Sequence, residues 1–108
     1  MFFAPAVRRI LAWREPVDMR KSFDGLIALT KEVLHEDPLS GSLFVFFNRR
    51  RNYLKLLFWD RTGFCLFAKR LERGHFALPG SERRCELNEQ TFSLLLDGIL
   101  LDGRRGIR

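Results

Sequence analysis

Two stretches of the chain carry apolar side chains at the three- and four-residue spacing of an amphipathic helix. The first runs from residue 22 to residue 35, and Asp18 and Ser22 both precede it as candidate N-caps. The second runs from residue 89 to residue 97 and follows Asn88, whose side chain is well suited to cap a helix. The pattern therefore predicts two helices, one in each half of the chain.

The remaining apolar segments have the residue types of β-strands, with many aromatic and branched side chains. Strands are predicted at 8–13, 43–47, 53–59, 64–71 and, as an edge strand closed by proline, 75–79. Polar turn residues separate the three central strands, so we expect these to form an antiparallel meander. Residues 80–84 ("GSERR") are expected to form a polar loop.

This series of elements in a chain of 108 residues predicts an α+β fold. We expect a small single domain over residues 1–108, in which a curved antiparallel β-meander packs against two helices. Residues 7–100 form its ordered part, and residues 101–108 are expected to be a flexible basic tail. The sequence contains no internal repeat, linker or second domain.

The last loop of the meander decides which side chains face each other. If "RTG" forms a three-residue loop with Gly63 in the left-handed conformation, Asp60 faces Phe64 and Lys55 faces Lys69. Two lysines opposite each other destabilise a sheet, so this arrangement favours an anion lying over that face. Alternatively, the lysine stems cover apolar surface while the ammonium groups diverge into water, and a one-residue shift in register removes the pair.

Both faces of the expected sheet are apolar at their centres. One face is predicted to carry Phe44, Phe46, Leu54, Leu56, Phe58, Phe64, Leu66 and Ala68. Such a sheet is covered on both sides, either by one helix on each face or by a helix and a partner. Another copy of the chain is one candidate partner, so a homo-oligomer is among the alternatives.

Positive charge is concentrated in the middle of the sequence. The chain has a net charge of +6, and residues 49–84 hold ten Lys and Arg against three Asp and Glu. A localised basic field of this kind is typical of proteins that bind nucleic acid. The candidate DNA-binding residues are Arg49, Arg50, Arg51, Lys55, Lys69, Arg70 and Arg73. Their alternative role is to keep an aromatic sheet soluble.

Other chemistry has weak support in the sequence. The candidate metal ligands are Asp18, Asp24 and Asp60 for magnesium, and Cys65, His75 and Cys85 for zinc. The aspartates have ready structural roles near a helix start and a turn, and the second set lacks closely spaced ligand pairs. We therefore expect no catalytic residues, no metal and no cofactor. Two cysteines, no apolar run of membrane-spanning length and no signal peptide favour a cytoplasmic protein with free thiols and no membrane contact.

Four segments resemble one known family over roughly residues 7–100. They are "DMRKSFDGL" (18–26), "DPLSGSLFVF" (37–46), "LKLLFWDRTGFCLFAKRLERGHF" (54–76) and "LLLDGI" (94–99). In their order and spacing they are similar to the TnpB accessory protein of the insertion-sequence-sixty-six family of bacterial transposons. Ser22 and Leu78 depart from that family, which often has Gly and Trp there. The resemblance implies a small protein that is encoded beside a transposase and needed for efficient transposition, with no established catalytic residues.

Two hypotheses about the mechanism follow. In the first, the basic aromatic sheet and its hairpin loop bind DNA at the transposon ends and help to assemble the transposase there. In the second, the protein is an adaptor that contacts the transposase through an apolar face and makes no direct contact with DNA. Binding to DNA in the absence of transposase distinguishes the first hypothesis from the second.

Overall fold

The computed structural model describes residues 9–98, which form one five-stranded sheet and two helices. The elements are β1 (Ile10–Trp13), α1 (Phe23–Glu32), β2 (Leu43–Phe47), β3 (Tyr53–Asp60), β4 (Gly63–Arg70), β5 (Arg84–Leu87) and α2 (Glu89–Leu96). The strand order is β4-β3-β2-β1-β5. The α+β class is confirmed. The flexible tail expected at residues 101–108 lies outside the described residues.

Antiparallel pairing of β2, β3 and β4 confirms the expected meander. The sheet as a whole is mixed, because β1 runs parallel to β2, with Leu11 opposite Phe44. A parallel neighbour requires a crossover, and α1 lies in the connection between these two strands. On its other side β1 pairs antiparallel with β5, with Leu11 opposite Glu86.

The edge strand expected at residues 75–79 was wrong, whereas the polar loop expected at 80–84 is observed for residues 80–83. Residues 75–79 are not a strand, although Phe76 is fully buried and its N–H donates to the carbonyl of Arg51 at 2.6 Å. The strand comes later, because β5 begins at Arg84 within the expected polar loop and continues to Leu87. Only Leu87 of this strand is buried, so the segment has no strong apolar signal and depends on β1 for its conformation.

Each face of the sheet is covered by one helix, which is one of the two arrangements expected from the sequence. On the face that we call the α1 face, helix residues Leu26 and Ile27 and the buried Leu34 pack with Phe44, Phe46 and Leu57. On the opposite face, the α2 face, Phe92 and Leu95 pack with Val45, Phe47, Leu54, Leu56 and Phe58. The predicted face composition was wrong, because Phe44 and Phe46 lie on the side opposite Leu54, Leu56 and Phe58.

The two helices begin differently. The side-chain oxygen of Asn88 accepts a hydrogen bond from the Thr91 N–H at 2.7 Å, so the predicted cap of α2 is confirmed. Ser22 precedes α1 but makes no side-chain capping bond. Asp18 instead accepts from the backbone N–H of Arg20 at 2.9 Å in the turn before the helix. The predicted extent of α1 to residue 35 exceeds the observed helix, which ends at Glu32.

The β3–β4 loop has two residues, Arg61 and Thr62, instead of the predicted three. Asp60 pairs with Gly63, which belongs to the strand, and Arg61 has the positive φ of 49° that we had assigned to the glycine. This shifts the register by one residue, so that Lys55 lies opposite Ala68. The predicted Lys55–Lys69 pair was therefore wrong. The shift also places the two lysines on opposite faces of the sheet.

Candidate nucleic-acid interface

Two loops lie side by side at one end of the sheet. The N–H of Leu71 donates to the Asn52 carbonyl at 2.7 Å, and the N–H of Phe76 donates to the Arg51 carbonyl at 2.6 Å. The β2–β3 loop is thereby joined to the segment that follows β4. This places four exposed arginines at the same end, namely Arg49, Arg50, Arg70 and Arg73, which we call the basic end.

Two asparagines fix the shape of the β2–β3 loop. The side-chain oxygen of Asn48 accepts from the N–H groups of Asn52 and Tyr53, each at 3.1 Å. The Asn48 amide also donates to the Asn52 side chain at 2.7 Å. Arg49 and Arg50 therefore extend from a loop that is already ordered, which reduces the conformational entropy that the backbone loses when a ligand binds.

Arg51 packs into the fold, whereas Arg49 and Arg50 are exposed to solvent. Its guanidinium donates to the Arg14 carbonyl at 3.0 Å and lies 5.4 Å from the centre of the Phe47 ring. Burial lowers the pKa of Arg51 from its ordinary value, and the nearby charge of Arg14 lowers it further. The φ of Arg51 is 59°, a conformation that non-glycine residues seldom adopt. It places the side chain against the sheet and the carbonyl against Phe76.

Arg14 anchors the segment that precedes β5. Its guanidinium donates to the carbonyls of Leu78 at 3.2 Å and Glu82 at 2.6 Å, to that of Pro79, and to the sulfur of Cys85 at 3.0 Å. This role of Arg14 has no signal in the sequence, because a lone arginine after a strand gives no indication of partners that lie more than sixty positions away. Arg14 thus stabilises the backbone beside the basic end without facing a ligand.

The two candidate lysines do not join the basic end. The ammonium group of Lys55 donates to the Lys21 carbonyl at 2.8 Å on the α1 face. The ammonium group of Lys69 donates to the Leu96 carbonyl at 2.7 Å on the α2 face. Lys69 therefore satisfies a carbonyl at the C-terminal end of α2, where the helix dipole also favours a cation. Of the seven candidate residues, four share the basic end, Arg51 packs into the fold, and the two lysines lie on opposite faces of the sheet.

The arginines of the basic end differ from other basic side chains in how few ion pairs they form. Among residues 9–98, no carboxylate lies within 4.0 Å of a side-chain nitrogen of Arg49, Arg50 or Arg73. Arg70 is 3.5 Å from Glu72, but both side chains are largely exposed and such pairs contribute little. These four guanidinium groups can therefore bind an external anion without breaking a strong internal contact.

The basic side chains near β5 form ion pairs and contacts with aromatic rings. Arg9 lies 2.7 Å from Glu86 and 3.5 Å from Glu36, and Arg84 also pairs with Glu36. The Arg9 hydrogen bond raises the pKa of Arg9 and lowers the pKa of the Glu86 carboxyl. Arg83 lies 5.1 Å from the centre of the Trp13 ring. Part of the charge in residues 49–84 therefore holds the sheet together and does not form a binding surface.

No group of three His, Cys, Asp or Glu side chains in residues 9–98 has an arrangement suited to a metal ion. The Arg20 guanidinium donates to the Asp18 carboxylate through Nε and one terminal nitrogen, and this hydrogen bonding lowers the pKa of Asp18 from 3.8 to about 2. Cys65 and Cys85 are free thiols. Within the same residues, neither helix has the length and apolar character required to cross a membrane.

Comparison with known proteins identifies one matching family. The family model described as "IS66 Orf2 like protein" matches residues 8–105. Two proteins of Sinorhizobium fredii (strain NBRC 101917 / NGR234) are similar. The uncharacterized protein y4jC is 37% identical over 92 residues, which are 84% of this chain and 79% of y4jC. The uncharacterized protein y4hO is 43% identical over 83 residues, which are 76% of this chain and 72% of y4hO. No solved structure matches.

Proposed function

Because this chain belongs to the IS66 Orf2-like family of transposition-associated proteins, we propose that it is an accessory protein that contacts transposon DNA through its basic end. In this role it binds beside the transposase of the same element and catalyses no reaction itself. We propose that the protein acts in the cytoplasm, where the element and its DNA ends are found.

One observation carries the proposal. Arg49 and Arg50 lie beside Arg70, the last residue of β4, and Arg73, because backbone hydrogen bonds join the β2–β3 loop to the segment that follows β4. Guanidinium groups bind phosphate oxygens in a two-pronged geometry, and each neutralised phosphate releases counterions. A cluster of exposed arginines with at most one weak internal ion pair is therefore suited to a phosphate backbone.

The proposed contact is with the backbone more than with the bases. Two adjacent arginines on a short loop reach neighbouring phosphates, and phosphate contacts position a protein without reading sequence. Lys55 and Lys69 are excluded from this contact, because their ammonium groups bind protein carbonyls on opposite faces. We therefore propose that sequence recognition of the transposon ends belongs to the transposase.

The adaptor function remains the second candidate, and two exposed apolar side chains favour it. Phe23 and Leu39 are 43% and 54% exposed, on the helix and on the connection that leads to β2. In this alternative the four arginines face an acidic surface of the transposase instead of DNA.

The test is a pair of double replacements with equal charge change. Arg49→Ala with Arg50→Ala removes two cations from the basic end. Arg20→Ala with Arg61→Ala removes two cations that are 91% and 94% exposed elsewhere, and so serves as the matched control. DNA binding by the purified protein is measured over a salt series with duplex fragments of transposon ends and with unrelated duplex.

We expect the basic-end variant to lose affinity for both DNAs and to reduce the slope of log affinity against log salt by up to about 1.8, since each phosphate contact contributes about 0.9. The control should keep the wild-type slope. Equal losses in the two variants would mean that net charge alone attracts the DNA. Wild-type protein that binds DNA only when transposase is present would support the adaptor. Arg51 is left intact, since its loss would mix folding with binding.

A further inference from the structure

Strand β4 lies at the edge of the sheet and is eight residues long. It pairs with β3 along one side only, and within residues 9–98 no segment pairs with its other side. Its first six residues, Gly63 to Ala68, carry no charge, and most of its side chains are half-buried on both faces. A long, uncharged edge of this kind is a template for another strand.

The register shows which backbone groups face outward. Leu71 donates to the Asn52 carbonyl, and hydrogen-bonded pairs alternate along an antiparallel ladder. The residues of β4 that bond to β3 are therefore Gly63, Cys65, Phe67 and Lys69. The N–H and C=O groups of Phe64, Leu66, Ala68 and Arg70 point away from the sheet. Four successive outward positions are thus ready to pair.

The opposite edge of the sheet is protected. Strand β5 has only four residues, and its Arg84 and Glu86 side chains are held in ion pairs with Glu36 and Arg9. Short length and charge are the usual devices that keep a sheet edge from pairing with another chain. On β4 the charges are confined to Lys69 and Arg70 at one end, which leaves the preceding residues open.

We propose that two copies of this chain associate through β4, in an antiparallel pair centred on Leu66. In this register Leu66 lies opposite Leu66 of the partner subunit, and Phe64 lies opposite Ala68 of the partner subunit. The outward-facing backbone groups of Phe64, Leu66 and Ala68 then meet outward-facing groups of the second copy. The two sheets join into one of ten strands, and the two-fold axis closes the assembly at a dimer.

Side-chain size and charge favour a second copy in this register. On the α1 face, large Phe64 lies opposite the partner's small Ala68. On the α2 face, Phe67 lies opposite the partner's Cys65, and Lys69 lies opposite the partner's Gly63, which has no side chain. Large side chains meet small ones and no cation faces another. A parallel pair would instead bring the Lys69–Arg70 segments of both copies together.

The first test compares two replacements of Ala68 by analytical ultracentrifugation of the full chain. Ala68→Pro removes an outward N–H without breaking the ladder to β3, and proline is tolerated on the open side of an edge strand. Ala68→Ser keeps that N–H and is the matched control. We expect wild type and Ala68→Ser to form dimers as concentration rises, and Ala68→Pro to stay monomeric. A monomeric wild type at every concentration overturns the proposal, as does an Ala68→Pro protein that dimerises normally.

The second test reads the register directly and does not depend on the proline variant folding. In a Cys65→Ala, Cys85→Ala background, Leu66→Cys places two thiols across the axis, where Cα atoms of a hydrogen-bonded pair are about 5.5 Å apart. Ala68→Cys places them four residues apart along the strands, roughly 14 Å. A short bifunctional maleimide should link Leu66→Cys into dimers and leave Ala68→Cys largely unlinked. Equal yields, or none for Leu66→Cys, contradict the proposed pairing.

This inference is independent of DNA binding. Ala68→Pro leaves Arg49 and Arg50 in place, so the salt slope per protein chain should not change if the basic end acts as proposed. A monomeric wild type whose β4 amides become protected from hydrogen exchange only with transposase would assign this edge to the transposase and overturn self-pairing. Failure of either proposal is thus visible without the other.

Discussion

Arg50 and Arg51 are adjacent in the chain, but one extends into solvent and the other lies against the core. The backbone between them makes the difference, because the positive φ of Arg51 turns its side chain back over Phe47. The same contrast holds between Arg73, which is exposed without an internal ion pair in residues 9–98, and Arg14, which binds three carbonyls. A count of positive charges treats these residues as equal.

A basic segment can therefore combine arginines that hold the fold together with arginines that stay exposed. Arginine has five N–H donors and a long apolar stem, so it can satisfy several backbone carbonyls in the interior of a loop. Arg14 and Arg51 are used in this way, while Arg49 and Arg50 keep their donors available. This difference predicts that replacing Arg14 or Arg51 lowers stability, whereas replacing Arg49 or Arg50 lowers DNA affinity.

The largest effect is expected for Arg14→Ala. This change leaves the carbonyls of Leu78, Pro79 and Glu82 without their donor. The first two are partly buried, and unsatisfied groups of that kind cost about 3 kcal/mol in total. The free energy of unfolding, measured in a denaturant series, should fall by that amount. Arg20→Ala is the exposed control and should change it by less than about 0.5 kcal/mol. Similar stabilities for the two variants would remove Arg14 from the structural group.

A smaller effect is expected for Arg51→Ala, about 1 to 2 kcal/mol, because it removes one hydrogen bond and one contact with an aromatic ring. Arg49→Ala should leave stability within about 0.5 kcal/mol of wild type. In DNA binding the order reverses, and only Arg49→Ala should lower the salt slope. The comparison fails if Arg51→Ala keeps full stability while its salt slope falls.

The lysines extend the comparison to the two faces. Lys69→Ala should destabilise the fold by about 0.5 to 1 kcal/mol, since Lys69 donates to Leu96 at the C-terminal end of α2. Lys55→Ala should cost less, because its bond to Lys21 is at an exposed site. Thermal unfolding of both variants measures the difference. A gain in stability from either replacement would indicate that Lys55 and Lys69 repel each other, which the observed register, with Lys55 opposite Ala68, does not allow.

The smallest effect concerns the exposed pair of Asp18 and Arg20. The pKa of Asp18 is lowered to about 2, so the pair adds stability above about pH 4, and this contribution disappears as the pH falls toward 2. NMR titration of the Asp18 carboxyl should give a midpoint near pH 2. In Arg20→Ala the midpoint should return toward 3.8. An unchanged midpoint in that variant would show that the guanidinium does not set this pKa.

The strongest local signals in the sequence predicted elements correctly. β2, β3 and β4 are long aromatic and branched runs, and Asn88 is a favourable cap, so each carries its own evidence. β5 was missed because three of its four residues are not buried and its conformation depends on β1. The hairpin register was wrong because the expected rule gives a positive φ to glycine, whereas Arg61 adopts it and Gly63 is extended within β4.

The role of the candidate site residues stays a prediction, and their arrangement could not be predicted from the sequence. One end of the sheet holds Arg49, Arg50, Arg70 and Arg73, because the β2–β3 loop lies beside the segment that follows β4. The separation of Arg51, Lys55 and Lys69 from them could not be predicted, because it depends on a backbone turn, a register and the C-terminal end of a helix. Each of these is a tertiary property that residue type does not determine.

The position of β1 has a consequence for how the chain is made. Among the strands of residues 9–98, β1 is translated first and β5 last, although β1 lies between β2 and β5 in the sheet. The hairpins of the meander close locally, whereas the second side of β1 stays unpaired until β5 has been translated. Until then the fully buried Leu11 belongs to an open edge. A translation product that stops before β5 would therefore retain the meander and expose the unpaired apolar edge of β1. Chaperones or proteases would recognise this edge first.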